Sequence, residues 1–115
     1  VINLVVSEIN DCHYCQSAHT ALGKMHGFTE EQILELRTGS ASFDPKLDAL
    51  AKFVKNITIN RSNPDAEAVE NFFEAGYDKA NLVDTILLIG DKFISNFIKV
   101  RIIIALETKN VHCCV

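Results

Sequence analysis

The chain has 115 residues, 48% of them apolar and 23% charged, with a formal net charge of −4. That is the make-up of one small globular domain with a single core, spanning residues 1–115. Lys and Arg are scattered, which excludes a nucleic-acid footprint and a polybasic membrane patch.

Residues 82–104 are the most apolar stretch, but Asp84, Asp91, Lys92, Lys99 and Arg101 interrupt them, so no membrane span is expected. The opening Val-Ile-Asn-Leu-Val-Val has no basic segment and no small-residue cleavage site. With no initiator Met either, the sequence is expected to begin inside a longer natural chain. The cytoplasm is the expected compartment. The four cysteines fall as Cys12-x-x-Cys15 and the adjacent Cys113-Cys114, without spacing through the middle. Under reducing conditions a Cys-x-x-Cys pair is more often catalytic or metal-binding than structural.

Every periodic segment has helical spacing, which predicts an all-α fold of about six helices. Residues 1–10 give the first. Asp11 is the expected N-cap of a second, running to about His26 and closed by Gly27. Thr29-x-x-Gln32 is a capping box opening a third helix, with Ile33, Leu34 and Leu36, that ends before Gly39. Asp44-Pro45 pairs an N-cap with proline at the first helical position. The fourth helix follows with Leu47, Leu50, Ala51, Val54 and Ile57 on one stripe. Residues 60–64 form a loop, and Pro64 is expected to open a fifth helix that buries Val69, Phe72 and Phe73 and stops at Gly76.

Asp78 caps the sixth and longest helix. Its apolar residues, from Leu82 and Val83 through Leu87 and Ile94 to Phe97 and Ile98, cover more than one face. Such a helix is either central or shared with another subunit. An oligomer is therefore expected, with Gly90 marking a close helix crossing. The residues from about 100 onward, ending in His112-Cys113-Cys114-Val115, follow no pattern we can interpret.

The chemistry concentrates in residues 8–19, which pack two cysteines and two histidines beside Glu8. Steps of four, seven and eleven from Glu8 return to within about 40° of it on a helix. Glu8, Cys12, Cys15 and His19 would then share one stripe, although a break at Asn10-Asp11 would rotate Glu8 out of line. A thiol pair beside an imidazole is a redox constellation, because the thiolate is the reactive species and a nearby base generates it. His19 is placed to accept the thiol proton or to donate one to a leaving oxygen. Glu8 would orient His19 or accept a proton. His13 and Tyr14 lie off the stripe, His26 reads as a partner of the helix C-terminus, and Asn10 serves the turn. The blander alternative for Cys12 and Cys15 is two small buried apolar residues. A structural zinc site is another, with Cys12, Cys15, His19 and either His13 or Glu8, but four ligands along one helix cannot close a tetrahedron unless the 112–114 tail helps.

With these residues in view, Glu8-x-x-x-Cys12-x-x-Cys15-x-x-x-His19, followed by Thr20-Ala21-Leu22-Gly23 and Gly27-Phe28-Thr29, resembles the alkylhydroperoxidase D-like family. That family sits within the carboxymuconolactone decarboxylase superfamily. The wording of residues 7–19 is most similar to its peroxidase-related members, and the likeness runs from about Val5 to Asn96. The resemblance implies an all-helical fold assembling into dimers, trimers or hexamers, and a thiol-dependent peroxidase acting on small hydroperoxides. Cys15 would be the peroxidatic thiol, oxidised to a sulfenic acid, and Cys12 would resolve it as a disulfide. His19 and Glu8 would form the proton relay. A dithiol, such as a lipoyl group on a partner protein, would restore the pair. The resemblance implies no haem, flavin or metal.

Helix-terminus electrostatics favour Cys12 as the more readily ionised thiol, whereas His19 favours Cys15. The His19 argument is preferred because the departing alkoxide also needs an acid. Two rivals are carried: a zinc-stabilised helical interaction module, and a decarboxylase-type lyase with His19 as base. The second is disfavoured because the decarboxylase branch lacks the cysteine pair. Beyond about Ile98 the sequence departs from the family's usual ending.

Overall fold

Six helices follow one another in the computed structural model, which describes residues 1–61 and 63–99: α1 (Ile2–Ile9), α2 (His13–Met25), α3 (Glu30–Thr38), α4 (Pro45–Asn60), α5 (Ala66–Glu74) and α6 (Lys79–Phe97). No strand occurs among the described residues. Three helix starts are set by side chains that satisfy N–H groups the helix leaves without partners. Thr29 Oγ1 accepts from Gln32 N while Gln32 Oε1 accepts from Thr29 N. Asp78 and Asn81 make the same reciprocal box. Asp44 accepts from Lys46 N and Leu47 N, with Pro45 at the first helical position.

α5 departs from the expected start. Pro64 lies outside the helix, and Asp65 is the N-cap without a side-chain cap bond. Its carboxylate accepts from Asn56 Nδ2 at 2.6 Å, and its N–H donates to Asn56 Oδ1 at 2.9 Å. The residue that would cap α5 instead clasps α4. α3 ends on Gly39 with φ 87°, and a Cβ there would fall 2.5 Å from Lys55 Cδ. Glycine is needed on both counts, and the approach lets Lys55 Nζ reach Thr38 O at 3.0 Å.

The main core joins Leu4, Val5 and Val6 of α1 to Ile33 and Leu36 of α3, Ala41 of the α3–α4 connection, Ala51 and Val54 of α4, and Ile89 of α6. A second centre stacks Phe72 between Phe53 (centroids 4.4 Å) and Tyr77 (4.5 Å), locking α5 onto α4. Phe72 is fully buried there, whereas Val69 and Phe73 are half-buried.

The central helix is therefore α1, which packs against α2, α3, α4 and α6. Of its two options, central or shared with another subunit, α6 does not adopt the central one within the chain. Its buried stripe is Thr85, Ile89, Lys92 and Asn96, largely polar. Val83, Ile86, Leu87, Leu88, Ile94, Phe97 and Ile98 face outward, Leu87 with 64% of its surface exposed. One core side cannot absorb apolar residues spread over two helix faces. Gly90 does not mark a close crossing within the chain, since nothing lies within 4 Å of where its Cβ would stand. The tight approach is at Gly23, whose Cβ would meet Ile33 Cδ1 at 3.1 Å. No helix among the described residues is long and apolar enough to cross a membrane. The His112-Cys113-Cys114 tail lies outside the described residues.

Candidate functional site

The corner between α1 and α2 builds the site. α1 ends as Asn10 N donates to Val6 O, and Asp11 then adopts φ 53°, the left-handed region that Asp tolerates better than most residues. That reversal lets Cys12 N donate to Ser7 O at 3.0 Å, folding Cys12 back against α1. The first helical bond of α2 runs from Gln16 N to Cys12 O at 2.8 Å. The N-cap is therefore Cys12 and not Asp11 as expected. A residue in the left-handed region cannot supply the extended dihedrals of an N-cap, so the helix begins one position later.

This start places Cys15 at the third helical position, with its Cα 5.2 Å from that of Cys12, and the two sulfurs are joined as a disulfide. Both residues are shielded from water, Cys12 at 0% and Cys15 at 1% exposure. His19 follows Cys15 by four residues on α2, on the same helix face.

His19 does not meet Glu8. Its Nε2 lies 2.6 Å from the Nζ of Lys92, reaching in from α6. The imidazole pKa is pushed down to about 4, chiefly by burial, then by the Lys92 ammonium, with a smaller contribution from Lys99. At neutral pH the ring is uncharged. The Lys92 pKa is lowered too, by burial and by Lys99, with Asp91 opposing. Lys92 as the donor makes Nε2 an acceptor, which leaves the ring proton on Nδ1.

Glu8 lies on the other side of the corner. Its Oε2 accepts from Arg37 Nε of α3 at 2.7 Å, and Arg37 Nη2 also reaches Gln16 Oε1 at 3.3 Å. Gln16 Nε2 in turn donates to Ser7 O at 3.4 Å. The break at residues 10–12 thus turns Glu8 toward α3 while His19 faces α6. Of the four residues on the expected stripe, the structure gathers Cys12, Cys15 and His19 along α2 and diverts Glu8. His13 is exposed, with Nδ1 3.3 Å from Gln16 Oε1 and Nε2 3.5 Å from Asp11.

Below the thiol pair, Asn96 of α6 is 1% exposed and ties the corner together. Its Oδ1 accepts from Asn10 Nδ2 at 3.1 Å, and its Nδ2 donates to Ser7 Oγ at 3.3 Å. Along α2 runs an open groove of about 410 Å³, lined by His13, Gln16, Ser17, Thr20, Lys24 and Arg37. Among the described residues no group of three or more His, Cys, Asp or Glu converges as a metal cage.

Lys92, Asn96, Arg37 and Gln16 are the site residues that the sequence did not single out. A signal for two of them exists. Thr85, Lys92 and Asn96 recur at steps of seven and four along one face of α6, a polar stripe that has to face something. Arg37 and Gln16 carry no such signal.

Residues 1–56, which contain Glu8, Cys12, Cys15 and His19, match the profile of the carboxymuconolactone decarboxylase family. Among curated proteins and among solved structures, nothing matches the chain. Over those residues, and in an all-helical fold, the chain is thus similar to the carboxymuconolactone decarboxylase family.

Proposed function

We propose that this protein is a thiol peroxidase of the alkylhydroperoxidase D-like kind, reducing small hydroperoxides through Cys12 and Cys15. The observation that carries this reading is the disulfide at the start of α2, with a neutral imidazole one turn beyond its second sulfur. In the reduced protein, the Cys15 thiolate attacks the terminal peroxide oxygen. The O–O bond breaks, the sulfur becomes a sulfenic acid, and the alkoxide leaves and takes a proton. Cys12 then attacks the Cys15 sulfur, the S–O bond breaks, and water departs as the disulfide closes. A dithiol donor, such as a lipoyl group on a partner protein, supplies two electrons and two protons by exchange and returns both thiols.

Because both sulfurs are buried, peroxide and donor reach them through a local opening of the α1–α2 corner. The proposal includes a cytoplasmic setting and a homo-oligomer, a dimer, trimer or hexamer, closing over the apolar outer face of α6.

The test is to add an alkyl hydroperoxide to the reduced protein and read the products by mass spectrometry. The expected result is loss of two hydrogens with a Cys12–Cys15 cross-link. In Cys12→Ser a single oxygen should add at Cys15. Peroxide consumption that survives replacement of both cysteines would overturn the reading. The family match supports a second one, a decarboxylase-type lyase with His19 as base. Decarboxylation of a carboxylated lactone by the double cysteine variant would favour it. Stoichiometric zinc retained after mild chelation would instead favour a zinc-stabilised module.

A further inference from the structure

We propose that Lys92 is a positioning residue for the thiol site: it holds His19 as the Nδ1–H tautomer and replaces the proton that His19 delivers. This rests on the thiol-peroxidase reading, and it answers a difficulty within it. The departing alkoxide needs an acid, yet the His19 ring is uncharged at neutral pH and so carries no spare proton of its own.

A lysine at 8% exposure is costly to keep charged unless a partner compensates for lost hydration. A carboxylate would be the usual partner. Here the partner is a second base, His19 Nε2, at 2.6 Å. Among the described residues the surrounding side-chain charges are Lys99, which acts on both groups, and the acid Asp91, which acts on Lys92. Such a pair accommodates one proton readily and a second one poorly. With that proton on Lys92, Nζ–H donates to Nε2, and the ring proton is fixed at Nδ1. A histidine in this state cannot take the Cys15 proton through Nε2, since that nitrogen is engaged. Through Nδ1 it is a donor.

The proton cycle then closes. The alkoxide takes the Nδ1 proton as Nε2 receives one from Lys92, so the alcohol forms and Lys92 becomes a neutral amine. Resolution by the Cys12 thiol consumes that thiol's own proton in forming water. The reducing dithiol brings two protons. One stays on Cys12, and the other returns through His19 to Lys92, leaving Cys15 as the thiolate.

The experiment compares wild type, Lys92→Met and Lys92→Arg by single-turnover reduction of an alkyl hydroperoxide across pH. The His19 tautomer and pKa are read in the same proteins by ¹⁵N-resolved NMR. Lys92→Met should slow sulfenic acid formation at neutral pH by about 10²-fold, the low end for loss of a general acid. It should also release the ring to a mixture of tautomers and raise its pKa toward 6.5. Lys92→Arg should restore the Nδ1–H tautomer and part of the rate. If Lys92→Met fails to fold, Lys92→Arg and the wild-type tautomer decide the matter. A wild-type ring protonated at Nε2, or a folded Lys92→Met with unchanged rate, pH profile and tautomer, would overturn the inference. Absence of peroxide turnover in wild type would instead overturn the peroxidase reading, while the NMR arm still tests the pair.

Discussion

α1 and α6 meet across the thiol corner and are built in opposite ways. α1 is 8 residues long and buries Leu4, Val5, Val6 and Ser7. α6 is 19 residues long and, residue for residue, less apolar, yet it still carries more apolar side chains than its inner face takes up: it buries Thr85, Lys92 and Asn96 beside Ile89 and turns most of its apolar side chains outward. Within α6, burial follows position and not the apolar character of the side chain. The short helix holds the core, and the long one supplies polar partners to the corner that follows α1.

The sharpest way to break this contrast is to truncate each helix on its apolar side. Leu4→Ala should cost about 2–5 kcal/mol in chemical denaturation, because it empties a packed site. Leu87→Ala should change monomer stability by no more than about 0.5 kcal/mol. Next comes the polar side of α6. Asn96→Ala leaves Ser7 Oγ and Asn10 Nδ2 without their partner and should cost about 1–3 kcal/mol.

Acid tests the Lys92–His19 contact. Between pH 6.5 and about 4 the unfolded chain binds a proton at His19 that the folded chain refuses, so stability should fall as pH drops through that window and level off below it. His19→Gln should flatten this part of the curve, and an unchanged slope would contradict the contact. Asp78→Ala, removing the capping box of α6, should cost about 0.5–2 kcal/mol. The smallest effect on folding should come from Leu87→Glu. Its consequence is expected in sedimentation, as a shift toward monomer with an intact circular dichroism spectrum.

Much of this was legible in the sequence, and the reasons are local. The box at Thr29, the cap at Asp78, the Asp44-Pro45 start and the Gly39 stop depend on residues within one turn of each other. The thiol pair and His19 were legible because α2 is continuous beneath them. For Glu8 the sequence showed where the break would fall but not where it would send the side chain, because one left-handed residue, Asp11, rotates everything before it relative to everything after. Lys92 and Asn96 were missed because periodicity groups residues by face without saying which face turns inward. In α6 the spread of apolar residues was legible as a helix either central or shared, but which residues turn inward was not. Pro64 misled by one step, because Asp65 is engaged by Asn56 on a neighbouring helix, a pairing that no local pattern encodes.

The disulfide joins residues only three apart in sequence. On the chain-entropy account, closing so small a ring removes about 2 kcal/mol of freedom from the unfolded chain, against nearly 5 for a ring of a hundred residues. The cross-link is thus a weak tether for the fold, whose cohesion lies in α1 and its neighbours. Reducing it is expected to leave the architecture standing, as the proposed cycle of the sulfur pair requires.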